Sequence, residues 1–483
     1  MMSKGQTVFE RRQPEKSLVA KSLSQTRQAV WWLEDLEPRP SLPIVRGRER
    51  ADIAVVGGGY LGLWTALLAK RRSPGARVVL LEGRTLGWAA SGRNGGFCEA
   101  SITHGRENGA ARWPNEIETL ERMGLENLDS LESDLRGWGA RAEFERAGVL
   151  NVATEPHQVP WVEARASRAA ARGDESILSY NAEQVRAELN SPTYLGAIWD
   201  TRGSALVHPA KLVAELARVA QEEGVEIREN SPVRLTRTSG DRSEVRLEAP
   251  EGVVYADKVA LGTNAFPSLL RRNRFMTVPV YDYVLMSEPL TAEQLSSLGW
   301  RGRQGVADMA NQFHYYRLTR DNRILFGGYD AIYHTGGRIR SAYENRSSSF
   351  EKLASHFFTT FPQLEGVAFT NKWAGVIDTC TRFSAFFGTA RASRVAYAAG
   401  FTGLGVGATR FAAEVMLDLL NGEDTERTAL EMVRTRPLPF PPEPVAALGI
   451  NLTRRSLDRA DRTQGKRDRL LKTLDAVGLG FNS

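Results

Sequence analysis

The chain is short of the residues that staple or metallate a fold. Its 483 residues contain two cysteines, Cys98 and Cys380, and six scattered histidines. Two isolated cysteines supply neither a disulfide framework nor a zinc spacing. No H-E-x-x-H or similar cluster occurs, so no metal is expected. The start, Met1-Met-Ser-Lys-Gly-Gln6, lacks the apolar run of a secretory signal. The uncharged stretch from Ile53 to Ala69 is seventeen residues long and holds four glycines, too short and too glycine-rich for a membrane span. These absences point to a cytoplasmic protein without a transmembrane segment. There is also no internal repeat and no low-complexity tract.

Charge is not lacking. The net charge is +6, with 42% hydrophobic and 25% charged residues, the balance of an ordinary globular chain of two or three domains. Much of the excess lies at the end, where Asn451 to Ser483 holds eight Lys or Arg against four Asp. No RNA- or DNA-binding motif accompanies it, so no nucleic-acid partner is expected. Between Arg454 and Leu474, four leucines (Leu457, Leu470, Leu471, Leu474) stand among charges as in an amphipathic helix. Such a helix packs on the domain surface or makes a peripheral contact with a membrane or a partner.

The most informative stretch is Ile53-Ala-Val-Val-Gly-Gly-Gly-Tyr-Leu-Gly62. Four apolar residues read as a buried parallel strand. Gly57-x-Gly59-x-x-Gly62, with Tyr60 and Leu61 inside the cofactor-binding turn, then leads the chain into a helix expected over Leu63 to Arg72. Gly57 permits the tight turn, Gly59 lets backbone approach a pyrophosphate, and Gly62 lets helix and strand pack closely. The helix dipole and free N–H groups attract phosphates. The next strand ends in Glu82, twenty residues after Gly62, followed by Gly83 and Arg84. A carboxylate there accepts bonds from ribose hydroxyls and repels a 2′-phosphate. The fingerprint predicts a dinucleotide.

Dinucleotide-type features recur near the middle and near the C-terminus. A cofactor domain assembled from separated segments explains this, and a simple N-terminal domain does not. The expected organisation is an N-terminal arm (1–50), an α/β Rossmann-like cofactor domain (51–110, 200–274 and 370–425), a strand-rich α+β substrate domain (111–199 and 275–369) and a basic C-terminal extension (426–483). Helices are expected over 115–138, 350–361 and 410–420. Strands are expected over 278–287, 312–319, 323–328 and 372–377.

From Trp31 to Gly422 the residues resemble the flavoprotein family of D-amino acid, glycine and sarcosine oxidases. The shared fingerprint is Val55 to Leu63. Ala90-Ser-Gly-Arg-Asn-Gly-Gly96 resembles the second phosphate and flavin loop of the subgroup that includes γ-glutamylputrescine oxidoreductases. Gly203 to Pro209, Gly262-Thr-Asn264, Trp373 to Asp378 and Gly400-Phe-Thr-Gly-Leu-Gly405 follow in family order. The resemblance implies a glutathione-reductase-like FAD fold. It assigns Ser91, Arg93, Asn94, Gly95 and Gly96 to the phosphates and flavin, Val233 to the adenine edge, Gly262 and Thr263 to the cofactor site, and Gly403, Leu404 and Gly405 to the ribityl side.

The same resemblance implies dehydrogenation of a C–N bond to an imine, which water hydrolyses to a carbonyl, with electrons passing to O2 or a carrier. The departures are informative. The cysteine that carries FAD in sarcosine oxidases falls on Gly375, so FAD is expected to be non-covalent. A lysine near flavin N5 falls on Phe326, a substrate-facing histidine on Asp330, and a carboxylate-pairing lysine on Gly407. Asp330 then suggests a cationic, γ-glutamylputrescine-like amine. Tyr281, Tyr283, His314, Tyr316, Tyr329 and Trp373 are the other pocket candidates, the strand residues paired by period-2 alternation. A D-amino acid or aminophosphonate dehydrogenase using an electron carrier, and a flavin-bound partner subunit without turnover, are the alternatives.

Overall fold

Four consecutive apolar residues, Ile53 to Val56, can be covered on both faces inside a parallel sheet. They lie in one in the computed structural model, which describes residues 5–236, 244–476 and 478–480. Strand β1 (Gly47–Val56) leads into helix α1 (Tyr60–Arg72), and β2 (Val78–Leu81) returns parallel to β1 with Leu81 opposite Val56. On the other side β1 pairs with β3 (Gly252–Leu261), again parallel, with Leu261 opposite Val56. Glu226–Arg228 and Val395–Ala399 extend this parallel sheet. The C-terminal ends of β1, β2 and β3 therefore meet at one edge, where open α/β sheets bind ligands. Helix α1 is buried from Tyr60 to Ala69 because helices and sheet cover both its sides.

The second sheet is built from β4 (Val278–Ser287), β5 (His314–Leu318), β6 (Ile324–Gly328) and, after helix α2 (Ser347–Thr360), β7 (Phe369–Thr379). Their spatial order is β7, β4, β6, β5, continued by Gly305–Asp308 and Val149–Ala153. One face packs on α2, burying Tyr281, Tyr283, Leu285, Tyr316 and Phe326 against Phe350, Leu353 and Phe357. The opposite face looks toward the first sheet. The chain then returns to the first core through α3 (Ala408–Asn421) and ends in α4 (Val445–Arg462) and α5 (Arg469–Ala476).

Three expected boundaries shift. The helix Ile117–Gly137 joins the first core, where Leu120, Leu128 and Leu131 pack with Trp64 and Leu67, so the substrate region does not begin at 111. β7 is an inner strand of the second sheet beside β4, so the cofactor region does not resume at 370. The amphipathic stretch 454–474 is not one helix. It breaks between α4 and α5, where Gln464 and Gly465 take positive φ of 59° and 74°, a conformation that ends a right-handed helix. The arm is tied down: Trp32 is fully buried and Arg27–Gln28 pairs with β7. Residues 1–4 of the arm and 477 and 481–483 of the extension lie outside the described residues.

Candidate active site

A cavity of about 1170 Å³ lies between the two sheets, above the ~300–1,000 Å³ common for small-ligand pockets. Its first half is walled largely by backbone. Gly57 has φ +113°, and a Cβ there would sit 2.3 Å from the Gly262 carbonyl oxygen. A Cβ on Gly62 would come within 1.8 Å of the Gly57 carbonyl oxygen, so Gly62 lies under the turn and not on the cavity surface. Gly59, Tyr60 and Leu61 open on the cavity, where the first N–H groups of a helix lack intrahelical partners. The Glu82 carboxylate holds the Gly58 N–H at 2.6 Å, the Arg84 N–H at 2.8 Å and the Trp88 indole N–H at 3.0 Å. It is thus fixed at the end of β2 with its edge on the cavity. Gly83, Arg84, Val233, Gly262 and Thr263 line the same end, with Pro232 and Phe266 beside them.

The loop from Ser91 to Gly95 forms the next wall. Ser91 Oγ accepts the Tyr60 N–H at 3.0 Å, which joins the two glycine-rich turns. Asn94 donates to Ala90 O and Ser91 O and accepts the Gly96 N–H at 2.8 Å. Two tryptophans clamp this loop from outside: Trp32 donates to Asn94 O and Trp373 to Arg93 O. Arg93 departs from its expected phosphate role. Its guanidinium bonds Glu344 at 2.6 Å and the carbonyls of Trp88 and Ala374, so its charge is already matched. Gly96 lies behind the wall, where a Cβ would strike the Val207 carbonyl oxygen. Gly403, Leu404 and Gly405 line the far side. Nothing stands within 4 Å of a Cβ built on Gly403, so bare backbone faces open space there.

The second half is walled by side chains, and the structure redraws its membership. Of the pocket candidates, Tyr329 lines the cavity; Tyr281, Tyr283, His314, Tyr316, Asp330 and Trp373 do not. Alternation correctly pairs Tyr281 with Tyr283 and His314 with Tyr316, but those faces pack on α2. Tyr283 donates to Tyr343 O at 2.8 Å, and Tyr316 shares a 2.6 Å bond with Tyr194. His314 is buried between Asp308, 2.6 Å from its Nδ1, and His356, 2.8 Å from its Nε2. Asp330 is 2% exposed and neutralised by Lys352 at 2.8 Å, Ser349 at 2.7 Å and Arg346 at 3.1 Å. Burial pushes its carboxyl up, but Lys352, Ser349 and Arg346 together outweigh that and hold it below the ordinary aspartate value. It has no charge to offer a substrate.

The cavity face carries the interleaved residues, Val280 and Asp282 on β4 and Tyr315 on β5. The Tyr315 hydroxyl donates to the Asp282 carboxylate in a short bond. Burial pushes Asp282 up to about 6, against the bond from Tyr315. The ring of Tyr315 fits between two glycines: a Cβ on Gly95 or Gly327 would approach it to 2.6 or 2.7 Å. Phe326 faces α2, and on the opposite side of β6 Gly327 lies under the Tyr315 ring. A Cβ on Gly407 would lie 2.2 Å from Glu99 O, so that position admits no side chain. The remaining wall is the C-terminal segment, from Leu438 through α4 to Gly480. The leucines expected on a surface helix, Leu457, Leu471 and Leu474, turn into the cavity.

Residues 52–419 match the family model of FAD-dependent oxidoreductases, DAO. The chain belongs to that family. This FAD-dependent oxidoreductase is 29% identical over 384 residues to the gamma-glutamylputrescine oxidoreductase of Escherichia coli strain K12, covering 78% of this chain and 84% of that protein. It is 27% identical over 401 residues to the probable oxidoreductase OrdL of Haemophilus influenzae, covering 79% and 86%. Its fold is similar to that of glycine oxidase from Geobacillus kaustophilus, with a TM-score of 0.66 at 21% identity over 81% of this chain and all of that one.

FAD suits the residues present. The helix start at Gly59 to Leu61 and the Ser91 loop offer donors for its pyrophosphate, and Glu82 offers a fixed acceptor for its ribose. The open backbone at Gly403 and Gly405 leaves space for a flat ring system. Gly375 lines the cavity and carries no nucleophile. Cys380 is buried, with its thiol bonded to Ser384 O at 3.1 Å. Among the described residues no helix is long and apolar enough to cross a membrane, and no cluster of metal ligands occurs.

Proposed function

We propose that this FAD-dependent oxidoreductase dehydrogenates the C–N bond of an amine or amino acid. The observation that carries the reading is the Asp282–Tyr315 pair, a carboxylate and a phenol facing the same cavity as the flavin loops. When bound, FAD supplies an acceptor for the hydride that leaves the carbon next to nitrogen. The chain's residues prepare the substrate. An amine arrives mostly as an ammonium ion, whose nitrogen lone pair is blocked. The Asp282 carboxylate takes one proton from it, and Tyr315 keeps that carboxylate aimed into the cavity. The C–H bond then breaks with its electron pair, C=N forms, and water converts the imine to a carbonyl compound and ammonia or a smaller amine.

Binding of FAD is proposed to be non-covalent, because Gly375 and the buried Cys380 give it no attachment. The name of the E. coli relative supports a diamine-derived substrate, although Asp330 no longer does. The test is anaerobic mixing of the holoenzyme with a panel of amines and amino acids while flavin absorbance is followed. Bleaching by at least one of them is the expected result. A flavin that stays oxidised throughout would instead favour a partner subunit without turnover.

A further inference from the structure

The family match ends at residue 419, yet the segment beyond it forms part of the cavity wall. Along α4, Val445, Ala446, Gly449, Ile450, Thr453, Arg454 and Leu457 line the cavity. This is the 3.6-residue spacing of one helix face. The helix is anchored at both ends. Ile450 and Ala447 pack with Val278 and Val280 of β4, the strand that carries Asp282. Asp461 accepts the Asn311 and Gln312 N–H groups at 2.9 and 3.0 Å, and Asp458 accepts the Gln312 amide at 3.2 Å. Arg454 lies between these anchors, one turn from Ile450 and one from Leu457 and Asp458.

Among the described residues four arginines line the cavity: Arg84, Arg93, Arg454 and Arg467. Arg93 is matched by Glu344 and Arg467 by Asp475. Arg84 stacks over Trp88 at 4.2 Å, at the Glu82 end. Arg454 has no hydrogen-bond or salt-bridge partner among the described residues, and its Nε is shut off from solvent. Its Nε has thus lost water without gaining a partner, which costs free energy, while its half-buried guanidinium stands on the cavity wall with no acid to match its charge. Its planar fork fits a carboxylate. The phosphate-binding donors lie elsewhere, at the ends of β1 and β2, whereas the neighbours of Arg454 pack against the second sheet.

We propose that Arg454 receives a carboxylate on the part of the substrate remote from the oxidised amine. The C-terminal segment thus selects amines that carry an acid group. The proposal rests on the amine-oxidising reading above and is tested without turnover. Holoenzyme is titrated with monocarboxylates from acetate to benzoate, and with the matching amides, while the flavin absorbance spectrum is recorded. Wild type is expected to bind at least one carboxylate with a spectral shift. Arg454→Met is expected to weaken that binding about tenfold to a hundredfold, the worth of a charged hydrogen bond. Arg454→Lys should fall between them, and binding of the matching amide should not change. The exposed neighbour Arg455 provides the control, and Arg455→Met should behave as wild type. The proposal is overturned if no carboxylate binds, if Arg454→Met leaves carboxylate binding intact, or if it weakens acid and amide alike. Loss of FAD from Arg454→Met would also overturn it, because the guanidinium would then serve the cofactor. Carboxylate binding that depends on Arg454, with no amine able to bleach the flavin, would uphold this proposal and sink the amine reading.

Discussion

One half of the cavity is walled by backbone and the other by side chains. The half proposed for the cofactor is lined by Gly57, Gly59, Gly403 and Gly405, with Ser91, Asn94 and Glu82 holding the turns in place. The half proposed for the substrate is lined by Asp282, Tyr315, Tyr329 and a C-terminal helix. Backbone recognition demands glycine wherever a Cβ would collide, so it leaves a spacing in the sequence. Side-chain recognition on a sheet demands only that a residue fall on one of two faces. The first kind of site is written in the order of residues. The second depends on what covers each face.

That difference can be broken experimentally, beginning with the largest expected effect. Gly62→Ala places a Cβ 1.8 Å from the Gly57 carbonyl oxygen. Backbone cannot yield there without opening the turn, so the purified protein should be colourless or fail to fold. Recovery of stoichiometric FAD would show that the turn is not the cofactor cradle. Glu82→Ala should weaken FAD by roughly tenfold to a hundredfold, from lost bonds to a charged acceptor worth ~1.5–3 kcal/mol. An unchanged dissociation constant for FAD would remove Glu82 from the site. At the small end stands Tyr283→Phe. It removes the bond to Tyr343 O on the α2 side of the sheet, so it should cost about 1 kcal/mol of stability and leave the rate of flavin reduction alone. A large fall in that rate would place the cavity on the wrong face of β4.

The legibility of each region follows from the same physics. The β1–α1–β2 unit, Glu82 and the Ser91 loop were readable because glycine positions and one acid fix them. The aromatic pairs were read with the right period but on the wrong face. Period alone does not say which face a helix covers, and α2, rich in Phe350, Phe357 and Phe358, covers the tyrosine side. One signal did mark the other face: Asp282 is the lone charge in the otherwise apolar strand Val278 to Met286. Asp330 misled because its partners Arg346, Ser349 and Lys352 lie on the next helix and its N-cap. The C-terminal leucines suggested a surface helix because nothing in their spacing tells an outer surface from a cavity wall.

Asp282 provides the most direct test, since it places the reacting face on the side of β4 away from the tyrosines. Its carboxyl is raised by burial to about 6 from an ordinary 3.8. It is therefore protonated below about pH 6 and able to take an ammonium proton above it. Because its folded value is raised, ionisation costs stability as pH rises through that window. Asp282→Asn should accordingly be no less stable than wild type at pH 8. The decisive measurement is the rate of anaerobic flavin reduction by a reactive amine from pH 5 to 8, in wild type and in Asp282→Asn. Wild type should accelerate through a limb near pH 6 and level off. The variant should lose that limb and fall by about 10²–10⁴ at the plateau. An identical limb and rate in the variant would contradict the assignment of Asp282 as the proton acceptor.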